Sequence, residues 1–78
     1  MVELVNIQKN DEFISTEYIP EDSGEKGYIK MDLKGNVLES KQTSFDEIIA
    51  DYFCHARRTL RKLLQVDDVP KKKLVMWY

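Results

Sequence analysis

The most regular alternation in the chain runs from Tyr28 to Leu33, with Ile29, Met31 and Leu33 on one side and Tyr28, Lys30 and Asp32 on the other. A two-residue period is that of a strand with one face buried, so residues 28–33 are predicted as a strand. Two further strands are expected before it. Residues 1–7 are rich in aliphatic and β-branched side chains and lead into the polar turn formers Lys9-Asn10-Asp11-Glu12. Residues 13–19 place Ile14, Thr16 and Tyr18 on one face and Phe13, Ser15, Glu17 and Ile19 on the other. Neither of those faces is cleanly polar, so the pattern predicts a strand there without choosing its buried side. Between the second and third strands, Pro20 to Gly27 carries a proline, two glycines and four charges, the composition of an exposed loop.

A fourth strand, about 37–42, closes a hairpin whose turn can be written in two ways. Asp32-Leu33-Lys34-Gly35 suits a type I turn with a glycine bulge and sets Met31 opposite Val37. Gly35-Asn36 suits a two-residue type II′ loop and sets Leu33 opposite Leu38. A slip of one residue exchanges the two faces, so the turn decides which side of the fourth strand is buried.

The period then changes. Phe45, Ile48, Ile49, Tyr52, Phe53, Ala56, Leu60, Leu63 and Leu64 recur at three- and four-residue spacing and predict an amphipathic helix over about 45–64. Ser44 with Glu47 three residues on reads as a capping box that starts it. At about 1.5 Å per residue such a helix would cross a whole four-stranded sheet. Pro70 prevents its continuation, and Leu74 to Tyr78 follows as a C-terminal strand that could lie at a sheet edge, cover the helix or pair with another chain. The expected fold is α+β: one domain over residues 1–78, an antiparallel four- to five-stranded meander with one long amphipathic helix packed across one face.

Composition narrows the function more than it identifies it. With one cysteine, Cys54, and one histidine, His55, a single chain can form neither a disulfide nor a Cys/His metal cage. No cofactor is expected, and packing must hold the fold. A chain of 78 residues buries only about 60% of its unfolded surface, which makes a second copy an inexpensive source of apolar burial. The first residues lack the pattern of a secretory signal, and no uncharged stretch approaches the roughly 20 residues that span a bilayer. A cytoplasmic protein without membrane contact is expected.

Three groups of residues could carry chemistry. Cys54-His55 pairs a thiol with a base, but helix neighbours project about 100° apart and do not face each other, so a catalytic dyad is not expected. Asp46, Glu47 and Asp51 lie together at the predicted helix start, where carboxylates also offset the helix dipole with no metal ion, and no metal site is expected. The acidic loop around Glu21 to Glu25 departs from the calcium-loop pattern.

The third group is the basic set Arg57, Arg58, Arg61 and Lys62, followed by Lys71, Lys72 and Lys73 and by the aromatics Trp77 and Tyr78. Residues 1–39 hold nine acidic and four basic side chains, residues 40–78 five acidic and eight basic, so charge is polarised along a chain of net charge −2. Two copies could attract each other through that polarity. The expectation is a non-enzymatic protein-interaction or self-association module, a homodimer or a binder of another protein, with Arg57, Arg58, Arg61, Lys62, Trp77 and Tyr78 as contact residues. The alternative is binding of nucleic acid or a phosphate ligand by the same cations and aromatics, which a sequence pI near 5.3 disfavours.

Overall fold

The structure, a computed structural model, describes residues 1–21, 23–46 and 51–75. Five strands form one antiparallel sheet: β1 (Val2–Lys9), β2 (Phe13–Pro20), β3 (Gly27–Asp32), β4 (Val37–Lys41) and β5 (Lys73–Val75), in spatial order β4-β3-β2-β1-β5. One α-helix, α1 (Asp51–Leu63), packs against β1, β2 and β5, and a 3-10 turn at Ser44–Asp46 precedes it. The architecture is the α+β meander that the two hydrophobic periods predict.

The register settles the face left open in the second strand. Ile14, Thr16, Tyr18 and Pro20 pair with Met31, Ile29, Gly27 and Val2 and lie under the helix, all buried. Phe13, Glu17 and Ile19 occupy the opposite face and are half-buried. In β1 the helix side is held by Val2, Leu4, Ile7 and Lys9, which is not a period of two. Val5 pairs with Glu17 and Gln8 with Ser15, so Asn6 and Ile7 stand together opposite Thr16 as a β-bulge. Asn6 takes the left-handed backbone that this requires, φ 53°, a conformation asparagine tolerates better than most residues. The bulge turns Ile7 and Lys9 inward and points the Ile7 amide at the carbonyl of Lys71, 3.1 Å away.

The hairpin adopts the type I turn with a glycine bulge. The Gly35 amide donates to the Asp32 carbonyl at 3.1 Å, the Asp32 amide to the Asn36 carbonyl at 2.9 Å, and Gly35 has φ 93°. Met31 accordingly faces Val37. The Asp32 carboxylate holds the turn from outside by accepting the amides of Lys34 and Asn36, each at 2.9 Å.

Several expectations are corrected. The described helix is 13 residues, not about 20. Phe45, assigned to the apolar stripe, sits in the 3-10 turn and is 45% exposed, with its ring edge-on to Tyr52. Ile48 and Ile49 lie outside the described residues, as does Glu47. Ser44, expected to cap the helix in a box with Glu47, donates its amide and hydroxyl to Glu25, at 2.9 and 2.6 Å, and the Glu47 half of the box lies outside the described residues. Pro20 and Gly27, read as loop, end β2 and begin β3, and both are buried. The C-terminal strand pairs with β1 of its own chain through Val2, Glu3 and Leu4. Met76, Trp77 and Tyr78 lie outside the described residues.

Candidate interaction surfaces

Asp46 is a buried carboxylate held by four hydrogen bonds. It is 3% exposed, and its carboxylate accepts the Thr43 hydroxyl at 2.9 Å, the Thr43 amide at 3.2 Å, the Tyr18 hydroxyl at 2.9 Å and the Phe53 amide at 3.0 Å. It therefore caps the first turn of α1 from seven residues upstream, the role the sequence pattern assigns to Ser44. Burial, reinforced by the bond to Asp46, pushes the Tyr18 phenol well above its ordinary pKa, so it stays protonated and donates. With both carboxylate oxygens engaged by the chain, Asp46 is a structural hub. Of the other suggested metal ligands, Glu47 and the Asp51 side chain lie outside the described residues, and among those described no group of three His, Cys, Asp or Glu could hold an ion.

Charges of both signs hold the ends of the helical segment. Glu25 grips Ser44, and those two bonds keep its carboxyl below the usual range. Glu21 accepts the Tyr52 hydroxyl at 3.3 Å and the Met1 amino group at 2.6 Å. At the other end, the Lys9 ammonium donates to the carbonyls of Leu64 and Val66, both at 2.9 Å. Acid near the start and base at the finish match the helix dipole.

The basic cluster is spread rather than gathered. Arg61 reaches the β3–β4 turn and donates to the Gly35 carbonyl at 3.2 Å, while the Arg57 guanidinium lies 5.8 Å from the Phe53 ring centre. Arg58 is exposed on the outer arc beside exposed Cys54 and half-buried His55. Lys62 lies on the opposite flank, where it and Lys73 of β5 border a groove of about 430 Å³ lined also by Thr59, Leu63, Val66, Leu74 and Val75. Helical geometry explains the division: residues 57, 58, 61 and 62 fan over about 140° of the helix surface.

Among the described residues, no element covers the sheet face opposite the helix or the β4 edge. The face opposite the helix carries the half-buried Phe13, Ile19 and Tyr28, but its charges close over it: the Lys30 ammonium sits 4.3 Å from the Phe13 ring centre, and Glu17 accepts the side-chain Nδ2 of Asn6 and pairs with Lys26 at 3.9 Å. The β4 edge is different. All five of its residues are exposed, and the hairpin that carries it shows Leu33 at 43%, Val37 at 38% and Leu38 at 54% exposure. Those are three of the six large exposed hydrophobic residues among the described residues. A bulge at Leu38, between the pairs Lys30–Glu39 and Met31–Val37, marks the strand. No sequence signal distinguished this edge, because strand order is a tertiary property.

The fold and its surfaces define a small α+β sheet-and-helix domain whose sheet ends in two edge strands, β4 and β5. No protein family, curated protein or solved structure matches this chain.

Proposed function

We propose that this is a small, non-enzymatic, cytoplasmic protein-interaction module whose principal partner is a second copy of itself. The observation that carries the reading is the β4 edge, where unpaired main-chain groups coincide with exposed Val37 and Leu38. Exposed edges of this kind recruit further strands, and a short chain gains the apolar burial it lacks by pairing. Arg57, Arg58, Arg61 and Lys62 are proposed as polar contacts of the second copy, with Arg61 beside the β3–β4 turn through its bond to Gly35. Trp77 and Tyr78 are proposed as further contacts. Light scattering over roughly a hundredfold range of concentration tests the reading. The mass should rise from that of the 9.2 kDa chain toward twice it, and a monomer throughout rejects self-association.

A second reading, binding of a phosphate-bearing ligand or nucleic acid, has one specific observation in its favour. Lys62 and Lys73 border a single groove although they lie 11 positions apart in sequence. It requires a labelled oligonucleotide to bind at low salt, to dissociate steeply as salt rises, and to be lost from the Lys62→Ala, Lys73→Ala double variant. Binding unchanged in that variant removes the groove from consideration.

A further inference from the structure

We infer that two copies join edge to edge through β4, antiparallel and centred on Ser40, so that Glu39 of each copy faces Lys41 of the other and the two five-stranded sheets become one. This inference rests on the self-association proposed above and specifies its geometry.

The argument starts from symmetry. In an antiparallel strand pair related by a two-fold axis, the axis passes through a residue opposed to its own copy, so each possible register is named by its central residue. β4 offers few centres. One on Leu38 falls on the bulge, where the ladder is locally disrupted. One on Glu39 sets two carboxylates against each other, and one on Lys41 sets two ammonium groups together, both unfavourable across a strand pair. Centring on Val37 combines the disrupted segment with the turn, since the Asn36 carbonyl and side chain are already engaged with Asp32.

Ser40 remains. That register opposes Glu39 to Lys41 twice and Leu38 to Gln42 twice, and it ends before Thr43, whose amide is committed to Asp46.

The side chains also share a face. Glu39 is paired with Lys30 and Lys41 with Tyr28, both on the sheet side away from the helix. Joining the edges therefore extends the row Lys30–Glu39 by Lys41 of the second copy, and charges alternate in sign across the junction. Charged residues and bulges on an edge ordinarily discourage indiscriminate strand addition. Here the same charges admit one partner in one register, which is how an open edge can be selective.

The competing surface is weaker: on the uncovered sheet face, Phe13 is already lidded by Lys30. The other edge, β5, offers three strand residues among the described residues, Lys73–Val75, against five for β4.

Charge reversal tests the register. Glu39→Lys leaves two basic pairs across the junction and Lys41→Glu two acidic pairs, so each single variant should raise the dimer dissociation constant at least about tenfold. An equimolar mixture of the two variants regenerates opposite charges at both pairs, as does the double variant Glu39→Lys, Lys41→Glu, and both should return to wild-type dimerisation. Sedimentation velocity reads the mass, and far-ultraviolet circular dichroism of each single variant checks that it is folded. Wild-type protein that stays monomeric rejects self-association altogether. A wild-type dimer that both single variants retain, or that neither the mixture nor the double variant restores, rejects the β4 register and leaves self-association standing.

Discussion

Gly27 shows how one residue without a side chain can be fixed by another's bulk. It is the cross-strand partner of Tyr18, and a Cβ placed on it would come within 2.2 Å of the Tyr18 ring. The ring is fully buried and tied through its hydroxyl to Asp46, so it cannot swing aside without breaking that bond. Gly27→Ala should therefore cost about 1–3 kcal/mol in urea unfolding, the range of overpacked cores, whereas an exposed-strand Gly→Ala change would stabilise. An unchanged midpoint would show that the ring yields. Asp46→Ala should cost about 3 kcal/mol, because it strands the Thr43 and Phe53 amides in the interior, leaves the Tyr18 hydroxyl with the Lys41 carbonyl at 3.5 Å and removes the helix cap. A loss below about 0.5 kcal/mol in the same assay would mean that water replaces the carboxylate. Neither residue announces itself in the sequence. Gly27 looks like one of several loop glycines, and Asp46 like a solvent-facing first-turn acid. Both acquire their roles from Tyr18, which lies 9 and 28 positions away.

At the scale of elements, two long-range polar contacts set where structure starts and stops. The end of α1 is held by Lys9, delivered to the helix side of β1 by the bulge at Asn6. Lys9→Met keeps the aliphatic stem and removes the charge, and should lower stability by about 1 kcal/mol while raising amide exchange in the last helical turn. Unaltered exchange there would mean that the carbonyls of Leu64 and Val66 are satisfied without it. The β3–β4 hairpin depends on Asp32, whose carboxyl is held below its usual range chiefly by the Asn36 amide and side chain, then by the amides of Lys34 and Gly35. A carboxyl with a depressed folded-state pKa adds stability above the unfolded value, near pH 4, and loses it as pH falls through the folded value. Glu25, lowered by Ser44, acts in the same direction. The thermal midpoint should fall as the solution is acidified below about pH 4, less steeply in the Asp32→Asn, Glu25→Gln double variant. Equal slopes would show that these two turns do not contribute.

The hairpin type was legible as one of two options from Asp32 and Gly35, because turn chemistry is local. The roles of Asp46, which accepts the Phe53 amide, and of Gly27, which admits the Tyr18 ring, are not legible in the sequence because both act across space.

For the whole molecule, the charge polarity of the chain does not become two lobes of opposite sign. β5 from the basic half lies on β1 from the acidic half, and Glu21, Glu25 and Lys9 spend their charge on the helical segment. The open feature left by this arrangement is an edge, not a charged pole. If two copies meet there, unfolding is linked to dissociation, and the thermal midpoint should climb by a few degrees for a tenfold rise in concentration. A midpoint independent of concentration would count against a dimer that is stable in the folded state.

The two hydrophobic periods, the turn residues and Pro70 were sufficient to determine that this chain makes an antiparallel meander and one amphipathic helix, because each depends on side chains within a few positions of one another. Strand order, the bulge that turns Lys9 inward, the capping of α1 by Asp46 and the exposure of β4 were decided only by tertiary structure. They depend on which distant backbone lies alongside, and a local pattern of residues carries no record of that.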